Sequence, residues 1–383
     1  MNLNKMGAVF VLLILIVPIP ATKGEKRSRY TYHSTYTFEN RGDDAYLLTE
    51  DDATLALFIN NRWQSVTMVN ATHDIEREYT DVDGNRLAVF DLPEIAPNSS
   101  LVFSVTFEVE STDRPKPEID PSEAGSSSDI PQELVDEFCI ETETFTTQDE
   151  AIKSLAQSLA ANQTTVLGLV IQLLAWFNEN ISYGNFEVPI YPNETLSRGV
   201  GDCDDQAILL ISLCRALEIP ALLQIGLVFN EGIGSERSSW GGHLLIEQRK
   251  VGWHGWVLIY VPPWGWVPID LTLVRSQDPL SRIAEAPEYD AYVITGYNIS
   301  KEAYIGDSHR SRDALMDSDI YVTISEKMVM EPPSSLWTSA LYIGLGLGVG
   351  SVIAVVIVLL RGRIPGRIAR SRNPDGWLSR VVS

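Results

Sequence analysis

Cysteine is scarce in this chain, with three residues among 383: Cys139, Cys203 and Cys214. So few thiols exclude the disulfide framework of small exported domains, and an odd number leaves at least one thiol free. Cys203 and Cys214 cannot bond to each other within one continuous helix, because the eleven positions between them correspond to about 16 Å of helix axis. A bond between Cys139 and Cys214 stays open on sequence grounds.

Positive charge is also in short supply. The sequence has 29 Lys and Arg residues against 51 Asp and Glu residues, which gives a formal net charge of −22. Nucleic acids and anionic membrane faces attract basic surfaces, so this balance argues against both as partners of the main part of the chain.

Histidine occurs only five times, which limits the candidates for a metal centre or a general base. The histidines and cysteines lack the short paired spacing of zinc motifs. A metal site made from Cys203, His243, His254 and Asp270 would have acceptable ligand types, but these residues are dispersed along the chain. We therefore expect no metal and no cofactor.

Two apolar runs stand near the ends of the sequence. The first follows Lys5, extends over residues 8–19 and precedes small residues near Ala21, which is typical of a secretory signal peptide over residues 1–21. It is short for an uncleaved anchor, because a spanning helix needs about 20 apolar residues. The second run, residues 336–360, has 25 residues without a charge and predicts one transmembrane helix.

A basic tail follows the predicted transmembrane helix. Residues 361–383 contain six Arg and one Asp, and positive charge beside a spanning segment stays cytoplasmic. We therefore expect a single-pass protein of the cell membrane, with the preceding region outside. Without Lys5 and the tail, the remaining 22 basic and 50 acidic residues carry a net charge of −28. Six glycosylation sequons fall in the exterior region, at Asn70, Asn98, Asn162, Asn180, Asn193 and Asn298.

The exterior region divides by composition. Residues 25–111 alternate apolar and polar side chains in short runs between turn signals, which predicts a small antiparallel β-sandwich. Residues 112–131 are rich in Pro, Ser and acids and indicate a linker. In residues 132–330, helical patterns over 149–160 and 164–180 precede a series of strand-like runs, so we expect an α+β domain.

The stretch RGVGDCDDQAILLISLCRAL, residues 198–217, places Cys203 where a helix should begin. Free N–H groups and the positive end of the helix dipole favour a thiolate there, so the pKa of Cys203 should fall. Asp202 and Asp204 complicate this expectation, since they can cap the helix but also raise the thiol pKa by repulsion. A lone cysteine in an apolar helix is usually a packing residue, and Cys214 fits that interpretation.

A cysteine nucleophile needs a base and a group that orients the base. His254 and Asp270 both occur in HGWVLIYVPPWGWVPIDLT, residues 254–272. His243 is a second candidate base, but no carboxylate follows it at a matching position, and we interpret it as a strand residue.

GDCDDQAILLISLCRALEIPALL followed by HGWVLIYVPPWGWVPIDLT resembles the transglutaminase-like superfamily, in the membrane-anchored form found in prokaryotes and archaea. The resemblance covers residues 151–274 and implies a papain-like α+β core. It assigns Cys203 as the nucleophile, His254 as the general base and Asp270 as the orienting carboxylate. The family commonly has His-Ala-Trp at the base, whereas this chain has Gly255 in the middle position.

The turn between the two strands of this motif decides whether His254 and Asp270 can meet. If residues 262–265 formed a tight four-residue turn, Asp270 would lie opposite Val257, on the face of the sheet away from His254. If the connection instead extends over residues 259–265, His254 lies directly opposite Asp270. A paired His254 and Asp270 therefore predicts a wide loop or a bulge at this turn.

These observations favour an exported, membrane-anchored thiol enzyme that acts on amide bonds of proteins or peptides. The acceptor could be water, which gives a peptidase or deamidase, or an amine, which gives acyl transfer. The alternative is a catalytically idle surface module that uses the same fold for binding or assembly. The glycine pairs 344 with 348 and 346 with 350 of the predicted transmembrane helix would suit a dimer.

Overall fold

The computed structural model of the chain describes residues 27–274, 276 and 278–332. The predicted signal peptide (1–21), transmembrane helix (336–360) and basic tail (361–383) lie outside these residues, so their structure stays a prediction. Within the described ranges, no helix is long and apolar enough to cross a membrane.

The described residues contain seven α-helices and thirteen β-strands. The helices are α1 (Gln132–Phe138), α2 (Glu150–Ala160), α3 (Val166–Asn180), α4 (Pro192–Arg198), α5 (Cys203–Arg215), α6 (Ser281–Ala284) and α7 (Tyr304–Met316). The first eight strands are β1 (Arg27–Asn40), β2 (Thr54–Ala56), β3 (Gln64–Ala71), β4 (Ile75–Thr80), β5 (Arg86–Phe90), β6 (Ser99–Thr112), β7 (Ser182–Tyr183) and β8 (Val200–Gly201). The remaining strands are β9 (Ala221–Ser239), β10 (Leu244–Val261), β11 (Gly265–Ile269), β12 (Val293–Ile299) and β13 (Ile320–Met330).

One eight-stranded sheet organises these elements. Its strands follow the order β12, β9, β10, β13, β1, β6 and β3, and β11 pairs with the second half of β10. The pairing of β10 with β13 is parallel, and the other pairings in this sheet are antiparallel. The α+β class expected from the sequence is confirmed.

The helix that carries Cys203 lies inside the core. Every residue of α5 from Asp205 to Arg215 is buried. Its apolar side chains form one cluster with those of α2, α3, β9, β10 and β11. Asp149 caps α2 and Thr165 caps α3 with their side-chain oxygens, which is why both predicted helices begin where the sequence indicated.

The N-terminal strands share the large sheet with the strands of the motif region. β1 pairs on one side with β6 and on the other with β13, which lies almost 300 positions later in the chain. A second sheet of β2, β5 and β4 packs over them, and the common apolar core also includes Leu227, Phe229 and Val251 of β9 and β10. Backbone hydrogen bonds therefore join the N-terminal strands and the strands of the motif region in one sheet. The predicted domain boundaries stay a prediction.

Residues 112–131, predicted as a linker, are held against the motif region. The N–H of Arg114 donates to the carbonyl of Tyr289 at 2.6 Å, and the N–H of Gly125 donates to the carbonyl of Pro262 at 2.9 Å. The indole of Trp264 donates to the carbonyl of Glu118 at 3.1 Å. This segment therefore supports the turn between β10 and β11.

Candidate active site

Cys203 is the first residue of α5, as the sequence predicted. Gly199 ends α4 with a left-handed φ of 65°, a conformation that glycine adopts without steric cost. The carboxylate of buried Asp205 then accepts the N–H of Asp202 at 3.1 Å and the N–H of Ile190 at 2.8 Å. Hydrogen bonds from Asp202 and Ile190 to Asp205 thus hold the first turn of α5, which carries the thiol.

The thiol is not activated by its position alone. Burial raises the pKa of Cys203 well above its usual value, and the charges of Asp204 and Asp202 raise it further. Hydrogen bonding to the backbone N–H groups of Gly255 and Asp204 lowers the pKa of Cys203 only in part. The expected fall in pKa is therefore wrong, because desolvation and like charge outweigh the helix start. This raised pKa favours the protonated thiol at neutral pH.

The turn between β10 and β11 is tight, and the predicted wide loop is wrong. Val261 pairs with Gly265 and Val257 pairs with Ile269, which leaves the three residues from Pro262 to Trp264 in the turn. The turn is one residue shorter than the four-residue alternative. Shortening the turn by one residue moves every side chain of β11 to the opposite face of the sheet relative to β10. Asp270, directly after β11, therefore lies on the same face as His254 and diagonally across from that residue.

His254 and Asp270 form a buried hydrogen-bonded pair. The Nε2 of His254 lies 2.6 Å from Oδ2 of Asp270, and the side chains are 6% and 0% exposed. Oδ1 of Asp270 accepts the N–H groups of Thr272 at 2.7 Å and Leu273 at 2.6 Å. Burial by itself would raise the pKa of Asp270, but His254 and these two N–H groups bring it below its ordinary value. A charged Asp270 therefore holds the proton of His254 on Nε2, which leaves Nδ1 as the basic nitrogen.

Cys203 and His254 line the same two cavities. The larger has a volume of about 760 Å³ and also contains Tyr183, Gln206 and Arg282 in its wall. The smaller has a volume of about 330 Å³ and is bounded by Asp204, Tyr297 and Tyr304 as well. The structure thus brings the predicted nucleophile and base to one accessible space, with Asp270 behind the base.

A polar chain of side chains supports the ring of His254 from behind. Trp256 lies with its ring centroid 5.9 Å from that of His254, at an interplanar angle of 29°. Its indole N–H donates to Oε1 of Gln224 at 3.0 Å, and Nε2 of Gln224 donates to Oδ1 of Asn298 at 2.7 Å. Gly226 pairs with His254 across β9 and β10, and a Cβ there would lie 2.7 Å from the Trp256 ring. A glycine at this position leaves room for the tryptophan.

Gly255, the departure from the family's His-Ala-Trp, has a steric explanation. A Cβ at this position would lie 3.1 Å from Cδ1 of Ile225 and 3.4 Å from Cα of Asp204. Both distances are tight for carbon atoms, so the glycine lets β10 approach the beginning of α5 closely. The residue between the base and Trp256 is therefore part of the contact between the strand and the helix that carry the site.

Glu288 is a site residue that the sequence did not reveal. Its side chain is fully buried, its Oε1 lies 3.9 Å from Nε2 of His254, and neither carboxyl oxygen has a hydrogen-bond partner in the described residues. Burial raises the pKa of Glu288 well above its usual range, and the charge of Asp270 adds to this, while Arg114 opposes it. Burial therefore favours the protonated form of Glu288. No spacing or motif in its surroundings, EAPEYD, marks it out.

The other candidate residues lie away from this pair. Nδ1 of His243 lies 2.8 Å from the carbonyl oxygen of Ile320, and its ring stacks on Tyr321 at 4.2 Å. The dispersed ligand set that includes His243 is therefore not assembled. Cys139 and Cys214 are free thiols, so no disulfide joins them.

Two groups of side chains in the described residues could geometrically surround a metal ion. One consists of Asp202, Cys203 and Asp204, and the other of His254, Asp270 and Glu288. In the second group, Nε2 of His254 is already engaged by Asp270, which suits a base and its orienting group better than two metal ligands. The chemistry that this geometry supports directly is nucleophilic attack assisted by a base.

Comparison with known proteins agrees with the motif. A family model described as the transglutaminase-like superfamily matches residues 153–271. No curated protein matches the chain. A solved structure of a candidate cysteine protease from Cytophaga hutchinsonii aligns with 80% of this chain and 90% of that chain, at 17% identity and a TM-score of 0.46.

A second solved structure, of a candidate protease from Parabacteroides distasonis, aligns with 72% of this chain and 68% of that chain, at 11% identity and a TM-score of 0.25. Both likenesses are too distant to transfer an activity. The assignment rests on the family match, which includes Cys203, His254 and Asp270. Residues 153–271 of this chain are a domain of the transglutaminase-like superfamily.

Proposed function

We propose that the protein is a thiol enzyme that attacks amide bonds of proteins or peptides, with Cys203 as nucleophile, His254 as base and Asp270 as orienting carboxylate. The observation that carries this proposal is the buried bond between His254 and Asp270 behind a base that shares its cavities with Cys203. A cysteine that only fills space in the core would need neither a neighbouring base nor an adjoining cavity.

The protonated resting thiol determines how the reaction would begin. Because burial and two neighbouring acids raise the pKa of Cys203, proton transfer to Nδ1 of His254 would accompany the addition of Sγ to the carbonyl carbon. The charge of Asp270 stabilises the imidazolium that forms. The backbone N–H of Cys203, at the start of α5, is available to stabilise the developing oxyanion.

The second half of the reaction depends on the acceptor. The imidazolium of His254 gives its proton to the departing amine, and the C–N bond breaks to leave a thioester on Cys203. His254 then removes a proton from the acceptor as it attacks the thioester. Water as acceptor releases a carboxylic acid, and an amine as acceptor forms a new amide. We favour hydrolysis, because it needs no second substrate site.

The same acidic surroundings give the alternative function its best support. The raised pKa of Cys203, next to Asp204, makes the thiol a weaker nucleophile. This would suit a binding module that has the transglutaminase-like fold but catalyses no reaction. Such a module has no need for a buried and fully aligned pair of His254 and Asp270. The enzyme is therefore the better-supported function.

One incubation separates these functions. The full-length protein is mixed with a glutamine-containing protein, with and without a primary amine, and ammonia release, chain cleavage and amine incorporation are read together. Hydrolysis gives ammonia or cleavage without the amine, acyl transfer requires the amine, and the binding module gives none of these. Cys203→Ser should remove the activity, whereas Cys139→Ser, at a half-buried thiol outside the site, should retain it.

We also propose export and anchoring in the cell membrane with the enzymatic region outside. The support is the sequence of residues 1–21, 336–360 and 361–383. Five of the six sequon asparagines have exposed side chains, and the sixth, Asn298, is engaged by Gln224. Protease treatment of intact cells that make the protein should remove the region before residue 336 and leave the tail.

A further inference from the structure

A third cavity lies between the N-terminal strands and the active site. It has a volume of about 590 Å³ and is enclosed by β1, β2 and β6 on one side and by β12 and α7 on the other. It shares the side chains of Trp253, Tyr297 and Tyr304 with the small cavity at Cys203. We call it the acidic aromatic cavity. Its size is that of a small-ligand or side-chain pocket.

The wall of the acidic aromatic cavity combines aromatic rings with acids. Tyr32, Tyr36, Phe58, Phe107, Trp240 and Trp253 are among its lining residues. Four acids also line it, namely Asp81, Glu187, Glu302 and Asp307, whereas its described lining residues include no Lys, Arg or His. Aromatic faces and carboxylates both attract a cation and disfavour an anion.

The acids in and beside this cavity repel one another. Burial raises the pKa of Glu302, and the charges of Asp81, Asp83 and Asp307 raise it further. Arg310 pairs with Asp307 on the exposed side of α7. Lys301, next to Glu302 in sequence, pairs instead with Glu137. A cation entering from outside would relieve this repulsion.

A buried carboxylate adds negative charge behind the aromatic wall. Glu326 is 4% exposed and accepts hydrogen bonds from Tyr32, from Gln248 at 2.8 Å and from Trp253 at 2.8 Å. Within the described ranges no Lys or Arg pairs with it. The aromatic wall is therefore backed by a carboxylate that no Lys or Arg of the described residues neutralises.

We propose that the acidic aromatic cavity binds a lysine or arginine side chain of the polypeptide substrate whose amide bond Cys203 attacks. This inference rests on the proposed function and specifies its substrate class. The shared residues Trp253, Tyr297 and Tyr304 connect this cavity to the small cavity at Cys203, so a side chain near the reacting amide can reach it. The aliphatic stem of that side chain packs on the rings, and its charged end meets the carboxylates that line the cavity.

A bound cation would also explain the acidic neighbours of the nucleophile. Oδ1 of Asp204 lies 3.9 Å from Sγ of Cys203, and Oδ2 accepts the hydroxyl of Tyr304 at 2.8 Å. Tyr304 lines both cavities, so a cation beside it partly neutralises Asp204. This lowers the pKa of Cys203 only when the substrate is present. The resting thiol stays protonated and therefore unreactive toward other electrophiles.

Peptides in which a single lysine is moved through a chain of norleucine residues test the proposal. Norleucine keeps the aliphatic stem and removes the charge. With the full-length protein, lysine at one defined position should raise kcat/KM about tenfold or more over norleucine. Glu302→Gln should reduce this ratio severalfold. Glu133→Gln, at an exposed acid of α1 away from the cavity, should keep it. Equal turnover at every position, or a ratio that Glu302→Gln leaves unchanged, overturns the proposal.

Failure of the enzymatic function is recognised separately. If no peptide is turned over, the proposed function fails, and binding of the same peptides to Cys203→Ser is then measured by titration calorimetry. A lysine preference of about tenfold in Kd that Glu302→Gln reduces supports the cavity assignment by itself. Equal affinity for lysine and norleucine peptides overturns it.

Discussion

Asp270 lies diagonally across the β10–β11 pair from His254, and its Oδ2 still lies 2.6 Å from Nε2 of His254. Strand alternation allows this because a three-residue turn brings both side chains to one face of the sheet. The second carboxylate oxygen is held by two backbone N–H groups, so Asp270 is fixed before any substrate arrives. The His254–Asp270 pair is therefore preorganised, with the proton of His254 on Nε2.

Replacing this carboxylate should impair catalysis more than binding. Asp270→Asn removes the charge that stabilises imidazolium and can present an N–H to Nε2, which favours the unproductive tautomer. We expect kcat for amide turnover to fall by about 10²- to 10⁴-fold. KM should change little, since Asp270 lines neither cavity at Cys203. Steady-state kinetics measure both constants. An equal loss in Asp313→Asn, an exposed position of α7, would contradict a specific role.

The length of the β10–β11 turn should be critical. Inserting one glycine between Pro263 and Trp264 creates the four-residue turn that moves Asp270 to the opposite face. We expect loss of amide turnover while the far-ultraviolet circular dichroism spectrum stays that of the native fold. The same insertion after Asp43, at an exposed position beyond the end of β1, should retain turnover. Full activity in the first insertion variant would show that the sheet register does not set the pair.

Two glycines of β9 form a matched test of packing behind the base. A Cβ at Gly226 would lie 2.2 Å from the carbonyl oxygen of Ile294, whereas a Cβ at Gly234 would meet nothing within 4 Å. Gly226→Ala should lower the free energy of unfolding by about 1–3 kcal/mol through overpacking. Gly234→Ala should change it by less than about 0.5 kcal/mol. Denaturant titration of both variants measures the difference, and equal values would be inconsistent with the described packing of Trp256.

Glu288 should make stability depend on pH in a defined direction. Its folded-state pKa lies above the unfolded value of 4.5, so the folded protein keeps a proton that the unfolded chain loses. The stability that this group contributes is fully present below pH 4.5 and is lost as the pH rises through the folded pKa. Glu288→Gln cannot titrate. Its stability relative to the wild type should therefore increase with pH, by at most about 1.4 kcal/mol per unit.

Unfolding curves of both proteins between pH 4 and pH 8 check this prediction, and Glu133→Gln is the exposed control, for which the difference should stay flat. A flat difference for Glu288→Gln would mean that Glu288 is ionised in the folded protein. In that case it would act on His254 as a second negative charge, and the pH profile of kcat/KM would shift in the variant.

Local sequence signals located the beginning of the helix that carries Cys203. The helix start at Cys203 follows from a capping acid, a glycine turn and an apolar run, all within a few residues. His254 and Asp270 are identified through the resemblance of HGWVLIYVPPWGWVPIDLT to the transglutaminase-like superfamily. The turn was predicted wrongly because PPWG is compatible with turns of three or four residues, and a single residue reverses the face on which Asp270 lies.

Long-range contacts were not predictable in this way. The position of Glu288 beside His254 and its raised pKa result from burial in the tertiary structure. The residues next to Glu288 in the sequence do not indicate that burial. The pairing of β1 with β13 joins segments separated by almost the whole described chain, and composition alone suggested separate domains. The pKa of Cys203 is expected to fall because its position at a helix start is visible in the sequence, whereas the burial that desolvates the thiol in the folded protein is not.

The most direct test of the central claim is to trap the covalent intermediate. The full-length protein is mixed with a peptide amide that is turned over, quenched in acid, digested and examined by mass spectrometry. The account predicts a thioester on Cys203, none on Cys139 or Cys214, and its loss in His254→Ala. Turnover that persists in Cys203→Ser, or an acyl group on another residue, would contradict it.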